Sequence, residues 1–251
     1  MIRVQERQLS EVGHRLAAEH FEEAMIAHLR GFSPWQAEIL GEAGMRAVIR
    51  LGVARAEAHR VTSADAVRFY LDLMLMFGSQ FDTDPLVPWA GAILRDPGIA
   101  DEAARMGRLH EALLAYRAAV NGAERSASLE ALYRIRLMIR QRAPLAPLLT
   151  EQGAADALRS IHPRFCAYVG EPALLDLVAR GRREAERLDV ATDAGVVLVT
   201  ALMFVIGHGF ADDPLYPWVR VALAEGNPAA RVARLGRQAE ICLDRVMEPR
   251  S

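Results

Sequence analysis

Displacing the chain against itself by 129 positions lays Val61–Leu94 on Val190–Leu223 without a gap. About a third of that window is identical, which is the signature of a duplicated unit. Both copies carry the string G-x-x-F-x-x-D-P-L-x-P-W. In the first copy it comprises Gly78, Phe81, Asp84, Pro85, Leu86, Pro88 and Trp89. In the second it comprises Gly207, Phe210, Asp213, Pro214, Leu215, Pro217 and Trp218. The same offset pairs Leu29-Arg30 with Leu158-Arg159, Pro34 with Pro163, Gly41-Glu42 with Gly170-Glu171 and Gly52 with Gly181. It also pairs Ala104–Arg108 with Ala233–Arg237. A solenoid repeats every ~20–50 residues, so a period this long is domain-sized. The expectation is two related lobes, 1–124 and 125–251. Their seam would lie in Asn121–Ser128, which is rich in Asn, Gly and Ser.

The hydrophobic spacing is helical throughout. Val12, Leu16, Ala17, His20, Met25, Ile26 and Leu29 recur at three- and four-residue steps, predicting a helix over Ser10–Arg30 that Gly31 ends. A short helix follows Pro34, and another runs from Glu42 to Arg60. Ser63 reads as the N-cap of a helix reaching Phe77. That helix is apolar nearly all round from Leu71, as is its counterpart after Thr192, so each should sit at the centre of its lobe. Asp84-Pro85 and Asp213-Pro214 read as an N-cap followed by Pro at the first helical position. Further helices are expected over Ile99–Val120, Leu129–Arg140, Glu171–Leu188 and Pro228–Met247. No stretch alternates as a strand would. The fold class is therefore all-α, in two tandem helical-bundle lobes of about five to six helices each.

Composition removes several chemistries. The chain has no lysine; all its basic side chains besides histidine are arginine. Lysine Schiff-base chemistry, a lysine-bearing phosphate loop and a kinase-type strand lysine are thereby excluded. Acids and bases nearly balance, giving a formal charge of −2, so neither nucleic acid nor an anionic membrane is an expected partner. The longest apolar run, Val196–Ile206, is well short of the ~20 residues a membrane span needs. Met1–Ser10 lacks an apolar signal core, and Cys166 and Cys242 read as reduced buried thiols, so the expected location is the cytoplasm.

Four candidate sites arise. Asp82 and Asp84 form a small acidic pair, but Ala211 replaces Asp82 in the second copy, and the further oxygen ligands of a calcium loop are missing. The preferred reading is a tight interhelical turn in which Phe anchors, Asp caps and Trp packs beneath. His208, beside Asp212 and Asp213, has the residue types for acid–base catalysis, and a hydrolase using them is one alternative; no nucleophile elbow accompanies them. The other histidines show no zinc spacing, and no metal or cofactor is expected. The groups Arg134-Arg136-Arg140-Arg142 and Arg180-Arg182-Arg183 read as solvated, salt-bridged helix faces. Met74 and Met76 lie on the most apolar helix of the first copy, where core packing is favoured over an adaptable binding surface.

Ile2-Arg3, Gln8-Leu9, His28-Leu29-Arg30, the stretch Ile49–His59 and the string Phe77–Trp89 resemble a bacterial helical module encoded beside type VI secretion effectors, similar to the helical lobe of effector adaptor–chaperones. The resemblance covers Met1 to about Val120. It implies a non-enzymatic adaptor or chaperone for a secreted effector or toxin, in an accessory role. An immunity protein that blocks a toxin is the alternative of the same binding kind. The resemblance carries no catalytic residues; Trp89 and Trp218 are the candidate partner contacts.

Overall fold

The computed structural model describes residues 19–141 and 146–248. Ile2-Arg3, Gln8-Leu9, His14, Arg142 and the start of the expected first helix, with Val12, Leu16 and Ala17, lie outside the described residues. Among those described the structure is helical, with no strand. The helices are α1 (19–32), α2 (Pro34–Ala58), α3 (Ala64–Phe77), α4 (Pro88–Leu94), α5 (Glu102–Val120), α6 (Ser126–Gln141), α7 (Glu151–Ile161), α8 (Pro163–Val169), α9 (Glu171–Arg187), α10 (Asp193–Ile206), α11 (Pro217–Leu223) and α12 (Pro228–Met247). No helix among them is long and apolar enough to cross a membrane.

The chain divides into two compact units, residues 1–75 and 76–251. In the first, the apolar stripe of α1 buries Met25, Ile26 and Leu29. Gly31 does not end α1, which continues through 32 until Pro34 opens α2. A non-helical Gly41 divides α2 into the two runs its sequence suggests. Gly52 lets α3 approach closely, since a Cβ there would collide with Leu71. Met45, Val48, Ile49, Tyr70, Leu71, Leu73 and Met74 complete this core. Met74 is thus a core residue, whereas Met76, in the second unit, is 40% exposed.

In the second unit, α9 and α10 form a tight helical hairpin, with Gly181 of α9 against Thr200 of α10. Leu198 to Phe204 are buried without a break, as expected of a central helix. Around it, α7 packs on α8 and α9, while α12 packs on α6, α10 and α11. Side chains cap several of these helices: Thr192 accepts the Gly195 N–H, Asn227 that of Ala230 and Thr150 that of Gly153. Asp101 accepts the Ala104 N–H, and this cap starts α5 at Glu102 rather than at Ile99. Five α-helices fall within residues 19–124 and seven within 125–248, against the five to six expected of each half. Part of the difference is that Gly170 parts α8 from α9, where Gly41 only breaks α2 internally.

The two expected helix starts at Pro85 and Pro214 need correction. The helices begin at Pro88 and Pro217, after Val87 and Tyr216. Asp84 instead closes a 3₁₀ turn, Phe81–Thr83, in an extended conformation. Its carboxylate bonds the Leu86 N–H two residues on, a local turn that satisfies the backbone without continuing it as a helix.

Candidate functional site

The repeated turn defines the best-formed polar site in the second unit. Phe81 and Phe210 are fully buried and anchor the two turns. The local hydrogen bonds match in detail. Phe81 N–H donates to the Gly78 carbonyl and Phe210 N–H to the Gly207 carbonyl, both at 3.2 Å. Asp84 Oδ1 accepts the Leu86 N–H at 2.8 Å, and Asp213 Oδ1 that of Leu215 at 2.9 Å.

The second oxygen of each carboxylate crosses to the other copy. Asp84 Oδ2 accepts the His208 N–H at 2.9 Å, and Asp213 Oδ2 accepts the Ser79 N–H at 2.7 Å. Between these bonds the backbones of Gly78 and Gly207 lie face to face. A Cβ on Gly78 would sit 2.8 Å from the Ile206 carbonyl, and one on Gly207 would sit 2.7 Å from the Phe77 carbonyl. Both glycines have positive φ, 93° and 98°. The space and the backbone conformation thus both require glycine. Asp84 and Asp213 are about 95% buried and would be costly unpaired, but each accepts two backbone N–H groups. The arrangement is a reciprocal clasp.

This geometry decides what the motif residues can do. The Asp84 oxygens are committed to N–H donors, which supports the turn reading over a metal-binding pair. The carboxylate beside His208 is Asp84, with Nδ1 and Oδ2 3.2 Å apart, within ion-pair range but not in hydrogen-bond geometry. Asp213 is held in the clasp, and the exposed Asp212 pairs with Arg187 at 2.9 Å. Trp89 packs edge-on to Phe77 at 5.8 Å and tilted to Tyr116 at 6.2 Å; Trp218 packs near Tyr216. Both indole N–H groups are buried without a hydrogen-bond partner in the described structure, while the rings are half-buried. Pro88 and Pro217 open the short helices that carry these rings.

Other features were missed by sequence reasoning. In the first unit, His28 Nε2 lies 2.6 Å from Asp72 Oδ1, and burial raises the Asp72 pKa despite the opposing effect of His28. The pairing is specific to the first copy, because Ala157 and Ala201 occupy the equivalent positions. In the second unit, Arg105 donates to the Ile99 carbonyl and its counterpart Arg234 to that of Ala222. Arg105 pins the loop that precedes α5, whereas Arg234 ties α12 to the last turn of α11 and to the Glu225 carbonyl in the loop between them. Most arginines singled out by sequence do have partners. Arg134 pairs with Glu130, Arg136 with Asp244 and Arg180 with Asp176, while Arg182 donates to the Leu149 carbonyl.

A cavity of about 550 Å³ lies among α6, α10 and α12 in the second unit. Its apolar wall includes Met138, Ile139, Val197, Leu198 and Val232, and Arg140 and Arg237 also line it. Cys166 and Cys242 are free and buried, and burial pushes their thiols up to about 11 and about 12. Compared with family models, curated proteins and solved structures, the chain matches none.

Proposed function

We propose that this chain is a non-enzymatic helical adaptor or chaperone that binds a protein partner. The partner class follows from the resemblance of its first copy to modules encoded with type VI secretion effectors: a secreted effector or toxin in the bacterial cytoplasm. The observation that carries the binding role is a set of large apolar side chains exposed on packed neighbouring helices. Leu129 and Tyr133 project from α6, Ile241 from α12 and Val221 from α11, the last 74% exposed. Because α12 packs on both α6 and α11, these residues belong to adjoining elements. Exposed aromatic and aliphatic groups on adjoining helices suit a partner that brings its own apolar surface.

Two tandem lobes, 1–124 and 125–251, are the organisation this reading assumes. The matching bonds of the clasp support it, since equivalent residues of the two copies make equivalent contacts. The half-buried rings of Trp89 and Trp218 are further candidate contacts beside the main surface.

Gentle pull-down of the tagged chain from its own host, with mass spectrometry of what is bound, tests the proposal. The expected result is an effector or spike protein at stoichiometric yield, lost in a Tyr133→Glu, Ile241→Glu variant that stays folded. Recovery of the chain alone would overturn the reading. Raised effector abundance with toxicity intact supports chaperoning; rescue of cells from the toxin would shift the reading to an immunity protein.

A further inference from the structure

The cavity among α6, α10 and α12 combines an apolar interior with two cations that have no partner among the described residues. Arginines elsewhere on these helices have acceptors. On α6, Arg134 and Arg136 pair with Glu130 and Asp244. On α12, Arg231 pairs with Asp189, Arg234 donates to carbonyls and Arg245 pairs with Glu248. Arg140 and Arg237 are the exceptions: neither has a partner among the described residues, and both line the cavity. Among the described residues one acid, Glu240, also lines it, so cations outnumber anions there two to one. Met138, Ile139, Leu148, Val197, Leu198 and Val232 supply the apolar surface.

We propose that this cavity binds a free amphipathic carboxylate, its hydrocarbon chain against the apolar wall and its carboxylate held by Arg140 and Arg237. Guanidinium groups match a carboxylate with paired N–H donors, and the apolar lining demands a tail that a bare anion lacks. Size separates this ligand from a partner helix. A volume of about 550 Å³ lies within the roughly 300–1,000 Å³ range of small-molecule sites. A helix is ~10 Å across and rises ~5.4 Å per turn, so the cavity would hold little more than one turn. That is too short for the i, i+3, i+4, i+7 anchors of helix-in-groove recognition. The inference is independent of the adaptor reading, which rests on the exposed apolar groups of α6, α11 and α12.

The test uses the purified full chain with decanoate, decanol and decylamine, all below micelle-forming concentration, followed by calorimetry and thermal shift. Decanoate is expected to bind most tightly and decylamine least. Arg140→Gln with Arg237→Gln should weaken decanoate at least about tenfold, the loss expected for a charge-assisted hydrogen bond, and leave decanol binding unchanged. Retained decanol binding also reports that the doubly substituted cavity is intact. Ala194→Trp, at an exposed position on the cavity wall, should exclude all three compounds. Decylamine binding as tight as decanoate, an undiminished decanoate affinity in the arginine variant, or no decanoate binding would each overturn the proposal.

Discussion

His162 shows how one side chain links local structure to solution conditions. It is the N-cap of α8, and its Nδ1 accepts the Phe165 N–H at 3.4 Å, which requires an unprotonated nitrogen. Burial, with a smaller effect from Arg164, lowers its pKa below 6.5. A depressed folded-state pKa contributes stability that is present above 6.5 and lost as pH falls through the folded value. Thermal melts should therefore show a decline below pH 6.5 that His162→Asn, which keeps a capping oxygen, removes. An unchanged profile in that variant would refute the role. Asp72 acts with the opposite sign: its raised pKa favours the folded state below 3.8, and that contribution is lost as pH rises. The cysteines give a separate residue-scale check. With thiols pushed up to about 11 and about 12, under ~1 in 100 is thiolate at pH 8. Iodoacetamide should leave the native chain unmodified by intact mass and add two groups after denaturation. Rapid native labelling would contradict their burial.

Among the elements, the clasp between the two repeated turns is the most exposed to mutation. Hydrogen bonds to a charged group contribute about 1.5–3 kcal/mol each, and an Asn side chain presents an amide nitrogen where one carboxylate oxygen accepted an N–H. Asp84→Asn and Asp213→Asn should each cost about 2–3 kcal/mol in urea unfolding. The double variant should cost less than the sum, because opening one half of a reciprocal contact weakens the other. Gly207→Ala should be at least as damaging, since its Cβ would lie 2.7 Å from the Phe77 carbonyl at a φ of 98°. Losses below about 0.5 kcal/mol would mean that the clasp is incidental to stability. The turn itself was legible in the sequence, and so was its role as a connection between helices. Its capping scheme was not: Asp84 and Asp213 resemble ordinary N-caps from their neighbours, whereas their second oxygens serve residues more than a hundred positions away.

At the scale of the whole molecule, the question is which surfaces are left for partners once folding has used its polar groups. The structure spends both motif carboxylates on the clasp, Arg105 and Arg234 on backbone carbonyls, and most helix arginines on ion pairs. Among the described residues, exposed apolar side chains on α6, α11 and α12 are left over, as are Arg140 and Arg237 at the cavity, which have no acceptor there. Selective loss of partner recovery in the Tyr133→Glu, Ile241→Glu variant, with the decanoate response intact, would show two separate binding surfaces on one scaffold. Loss of both together would point to a common structural cause.

The sequence by itself determined the helical class, the burial of α10 among its neighbours and the matched turns, because each follows from local periodicity, turn chemistry or a repeat read along one chain. Tertiary structure alone decided that Asp84 reaches His208, that Asp213 reaches Ser79, that His28 meets Asp72 and that Arg140 and Arg237 line one cavity. Those outcomes depend on which side chains packing brings within about 3 Å or leaves without an acceptor, and spacing along the chain does not encode that distance.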